Sequence, residues 1–122
     1  MRDIKFRAWD KTNKKMIYDI DRIKDEFEGI GSIDKLLNSQ KYKWTSFFIM
    51  QFTGLLDKNG KDIYEGDIVK NRIRTSNCII EWKDLGWHIR PFGWNSYTLH
   101  QFESKDLEVI GNKYENPELM ME

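Results

Sequence analysis

Four carboxylates, Asp57, Asp62, Glu65 and Asp67, lie close together in the stretch QFTGLLDKNGKDIYEGDIVK at 51–70. Clustered oxygen donors are what a hard divalent cation takes, and such an ion can activate water for hydrolysis. Lys58 and Lys61 stand among them, so the plainer reading is solvated turn charge. The glycines of the stretch do not lead into the Lys-Ser/Thr pair of a phosphate-binding loop. Nucleophile chemistry has little to start from. Cys78, the one cysteine, opens the apolar run NCIIEW, where it reads as a small buried hydrophobe. His88 and His100 sit singly between strand-like neighbours. Neither a paired-histidine zinc spacing nor a Gly-x-Ser-x-Gly elbow occurs. No catalytic constellation, metal or cofactor is expected.

A second group of residues points to binding. Lys70, Arg72 and Arg74 alternate with Val69, Asn71 and Ile73, which in a strand puts three cations on one face. Arg90 and the rings of Trp82, Trp87, Phe92, Trp94 and Tyr97 follow. Cations beside aromatics on a small barrel can pair phosphates and stack the bases of a single strand. Against this, 20 basic residues balance 20 acidic ones, so the usual basic footprint is missing. A charged strand edge that blunts aggregation explains the same cations.

These residues need strands to position them. IKFRAW at 4–9 alternates, DKTNKK follows as a turn, and MIYDI at 16–20 completes a hairpin. Residues 21–41 are charged and interrupted by Gly29 and Gly31, with Ser32 placed to cap a short helix through Leu37. YKWTSFFIMQFT at 42–53 is apolar on both faces, as in a central strand. Asn59-Gly60 supplies the positive φ of a hairpin turn. Gly66 and Asp67 make a second turn, with Asp67 free to bond local amides. WDKTNKKMIYD at 9–19 and LDKNGKDIYEGD at 56–67 share a pattern, one hairpin solution used twice. From 68 on, IVKNRIR, NCIIEW, GWHIRP, NSYTLHQF and LEVIG follow at the spacing of a small barrel. Gly-Asp-hydrophobic-Val at its start suits the first strand of an SH3-like barrel. The expected fold is therefore mainly all-β: an SH3-like small barrel at 50–122, an N-terminal region at 1–49 with a hairpin and one or two short helices, and the two packed as one domain. After Pro117 the tail NPELMME is expected to fray.

The 122 residues include five Trp, five Tyr and seven Phe, enough to bury a real core. The charged N-terminus lacks a signal-peptide core, and the longest apolar runs fall short of a membrane span. A cytoplasmic chain with no membrane partner is expected.

Three blocks resemble the YopX family of small phage and prophage proteins: Met1 to Asp10 (MRDIKFRAWD), Met50 to Val69 (MQFTGLLDKNGKDIYEGDIV) and Glu108 to Leu119 (EVIGNKYENPEL). The resemblance implies a phage-associated origin in a bacterial host, a mostly β fold and oligomers. It carries over no catalytic residue. The expected function is a phage accessory protein that acts as a non-enzymatic, self-associating interaction module, with a phage or host protein as its other possible partner. The alternative is a small β-barrel nucleic-acid-binding module.

Overall fold

The computed structural model describes residues 4–18, 20, 47–71, 76–100 and 103–121. Two compact units divide the chain, Met1–Gln51 and Phe52–Glu122. The fold is mainly β, with two sheets, one of them curled into a half-barrel. The segments 21–41 and 42–46, including the proposed Ser32 cap, lie outside the described residues, as do Arg72 and Arg74.

In the first unit, β1 (Phe6–Asp10) and β2 (Lys15–Tyr18) form the expected hairpin. Asp10 closes its turn. Its Oδ1 accepts the N–H groups of Thr12 and Asn13, and its Oδ2 accepts the Asn13 side-chain amide. Lys14 takes the left-handed conformation that ends the turn, at φ 55°. Ala8, Ile20 and Phe47 make a small core with Phe6 and Ile17 against it. The long strand β3 (Phe47–Leu56) pairs with β1 through Gln51.

In the second unit, the end of β3 pairs with β4 (Asp62–Tyr64), with a register shift between Phe52 and Leu56. Gly54 sits in that interval at φ 88°, a conformation that glycine adopts without cost. Thr53 stands in for the broken ladder there. Its Oγ1 donates to the Ile63 carbonyl at 2.7 Å and accepts the Leu55 N–H at 3.1 Å.

β5 (Asp67–Asn71), β6 (Asn77–Lys83), β7 (Gly86–Pro91) and β8 (Tyr97–Thr98) form an antiparallel meander. A 3-10 turn at Glu103–Asp106 then leads into β9 (Leu107–Asn112), which returns to pair with β5. A four-strand meander closed by a fifth strand on its first is the connectivity of an SH3-like barrel. Ile63, Val69, Cys78, Ile80, Ile89, Leu99 and Leu107 form its core, with Trp87 and Tyr97 packed against it.

Two expectations need correction. The tail does not fray after Pro117. Pro117–Met120 forms a 3-10 turn whose Leu119 carbonyl accepts the Asn77 side-chain amide at 2.8 Å. Asn112 organises the approach, taking the N–H groups of Tyr114 and Glu115 on its Oδ1. A short polar tail holds because its backbone groups are bonded, a feature that composition does not report. The run NSYTLHQF also supplies less strand than expected, since among its described residues only Tyr97 and Thr98 pair.

Candidate functional site

The turn at 57–61 is built by Asp57, not by its glycine alone. Gly60 is left-handed at φ 80°, whereas Asn59 is not among the residues of positive φ. The Gly60 N–H donates to the Asp57 carbonyl, and the Asp57 N–H donates to that of Lys61. This is a three-residue hairpin loop closed by a left-handed residue, and not the mirror-image turn that Asn-Gly usually signals. The Asp57 side chain, only 6% exposed, accepts three backbone N–H groups. Asn59 and Lys61 donate to Oδ1 at 2.8 and 2.9 Å, and Val109 donates to Oδ2 at 2.9 Å. The Lys58 N–H donates to the Leu107 carbonyl at 2.9 Å. Together these bonds cover part of the outer edge of β9, which would otherwise be open to another strand. Burial acts to raise the Asp57 pKa. The N–H groups of Val109, Lys61 and Asn59, with the Lys61 charge, outweigh it and hold the carboxyl below the ordinary aspartate value.

Gly66 is left-handed at φ 86°, and its carbonyl accepts the Lys113 N–H. Asp67, 2% exposed, accepts the Tyr64 N–H on Oδ2 at 2.8 Å. Asp57 and Asp67 are therefore not the solvated turn charges that their lysine neighbours imply. They are buried caps on backbone donors. Among the described residues no three His, Cys, Asp or Glu side chains converge on a place that could hold a metal ion.

The basic candidates do not form an uninterrupted cationic row among the described residues. Lys70 is exposed on β5, directly across the ladder from Glu108 on β9. Glu108 also pairs with Lys58 at 3.6 Å. Arg90 donates from Nε to Glu81 at 2.7 Å. Each described candidate cation thus stands beside a carboxylate, and the opposite charge weakens the field that a phosphate backbone would feel.

The rings make a more coherent surface. Ile80 pairs with Ile89 in the ladder, and two positions on Trp82 pairs with Trp87. Residues two apart share a face, so the apolar row of the core continues outward along the β6–β7 hairpin. The two indoles meet edge to face with centroids 4.9 Å apart, an arrangement their quadrupoles favour. Trp82 is 50% exposed. Lys83 pairs with Gly86, leaving Asp84 and Leu85 as the two-residue loop. Both have positive φ, 50° and 63°. Leu85 is 92% exposed. Trp94, in the next loop, is also largely exposed. Sequence reasoning marked 84–86 as a turn and passed over Leu85. The signal was present in Trp82-Lys83-Asp84-Leu85-Gly86-Trp87, where a leucine fills a loop position that suits Gly or Asn.

The YopX protein family model matches residues 5–121. The chain belongs to the YopX family. Protein EF1440 from Enterococcus faecalis, a crystal structure, is 28% identical to this YopX-family chain, with a TM-score of 0.66 over 98% of this chain and 99% of that one. The crystal structure of protein yopX from Bacillus subtilis is 20% identical, with a TM-score of 0.61 over 100% of this chain and 98% of that one. The second likeness concerns the fold alone. No protein with a curated description matches the chain. Among the described residues no helix is long and apolar enough to cross a membrane.

Proposed function

We propose that this YopX-family chain is a non-enzymatic interaction module that associates with copies of itself, working as a phage or prophage accessory protein in the bacterial cytoplasm. One observation carries the reading. The β6–β7 hairpin takes the core's apolar row out to the surface, ending on a half-exposed Trp82 and an almost fully exposed Leu85. Exposed tryptophans and apolar side chains in one place are the mark of a protein-binding surface. Zero formal net charge removes the general repulsion between copies. A structural relative from the bacterium Enterococcus faecalis, 28% identical, supports the host assignment.

The test is co-expression of two copies carrying different affinity tags. Capture through one tag brings down the other copy if the module self-associates. Recovery of only the captured tag, with both copies expressed, contradicts the proposal. The nucleic-acid alternative draws no support from Lys70 and Arg90, which stand beside Glu108 and Glu81.

A further inference from the structure

The Asp84–Leu85 loop breaks two local rules at once. A two-residue hairpin loop with positive φ at both positions favours Asn-Gly. A bulky leucine in the left-handed region is an outlier, and such outliers cluster at functional positions. Among the described residues the same side chain is the most exposed of the large hydrophobic ones. A glycine or asparagine would suit both the backbone and the solvent better. What leucine adds is an apolar knob at the hairpin tip, beside the Trp82–Trp87 pair.

The charges at the tip indicate the occupant. Lys83 and Asp84 are adjacent and of opposite sign. Both are exposed, and Lys83 gives one hydrogen bond, to Ser96 Oγ at 3.1 Å. The Lys83 ammonium has three donors in all. Asp84 has no ion-pair or hydrogen-bond partner among the described residues. A patch with one cation and one anion is complementary to itself when turned about a two-fold axis, because each Lys83 then meets the other Asp84. We propose that the β6–β7 tip docks against the same tip of a second copy, with Leu85 and Trp82 at the centre and Lys83–Asp84 pairs across the axis. This rests on the self-association proposed above and names its surface.

Sedimentation equilibrium on single and double variants tests it. Leu85→Gly relieves the backbone and leaves the monomer folded, and Leu85→Asn serves as a second such variant. Either is expected to weaken self-association about tenfold or more, as loss of a central apolar anchor does. Lys83→Asp and Asp84→Lys each place like charges across the axis and weaken it. The double variant Lys83→Asp/Asp84→Lys restores it, because the swapped charges still match. If wild type self-associates and both Leu85 variants do so equally well, the interface lies elsewhere and only this inference falls. If the single reversals weaken association and the double does not recover it, the two-fold pairing is wrong. A wild type that stays a single chain removes both this inference and the function proposed above.

Discussion

Replacing Asp57 with alanine should strongly destabilise the second unit. Three backbone N–H groups lose a charged acceptor at once. A hydrogen bond to a charged group contributes about 1.5–3 kcal/mol. The Asn59 and Lys61 donors lie in an exposed turn, so water recovers most of their share. The Val109 donor sits 52 residues away on β9, and its loss also releases the turn from that strand's edge. The sum is about 3 kcal/mol, which for a chain of this size lowers Tm by roughly 10 °C. Asp57→Asn should fall between, since one oxygen can keep the turn bonds while its amide group faces the Val109 donor. Acid gives an independent check. The folded pKa is depressed, so the stabilisation is present above the unfolded aspartate value of about 3.9 and is lost as pH falls through the folded value. Thermal melts followed by tryptophan fluorescence should show a large gap between wild type and Asp57→Ala at neutral pH, narrowing in acid. Asp10 is the control, because its bonds stay within its own turn and its loss should cost less. Equal melting of Asp57→Ala and wild type at neutral pH would refute the clamp.

Gly66→Val should destabilise by about 1–3 kcal/mol, because a β-branched residue at φ 86° is strained; an unchanged melt would show that the turn relaxes freely. Gly111→Ala puts a Cβ into the space of Asn116 Oδ1, displacing the side chain that accepts the Asn112 N–H. Faster amide hydrogen exchange across 112–120 is expected, and unchanged protection would show that Asn116 does not lock the tail. Mixed-sequence single-stranded oligonucleotides at about 50 mM salt should give a flat titration, although phosphate contacts are strong there. Clear binding, with a salt slope reduced by about two units in the Lys70, Arg72 and Arg74 triple serine variant, would reinstate the nucleic-acid reading.

What the sequence disclosed and what it hid follow from the range of the interactions. Alternation at 4–9 and the apolar runs at 77–91 are local signals, and strands form at Phe6–Asp10, Asn77–Lys83 and Gly86–Pro91. Gly60 and Gly66 fall at left-handed positions, as their turns demand. The role of Asp57 is not local, since its decisive partner is Val109. A turn aspartate between lysines looks solvated until the strand that buries it is in place. A faint signal existed in the repeated Asp-Lys at 10–11 and 57–58, where both aspartates cap their hairpin turns. Arg90 looked available for phosphate because Glu81 is nine residues away, and only the β6–β7 register brings the two together. Leu85 was hidden for a different reason. Its oddity lies in backbone conformation and exposure together, and neither is written in composition.

Sedimentation velocity of the wild-type protein across a wide dilution series is the direct measure of self-association. A self-associating chain shows a mass above the single-chain 14.7 kDa that falls toward it on dilution. A mass of one chain at every concentration would contradict it.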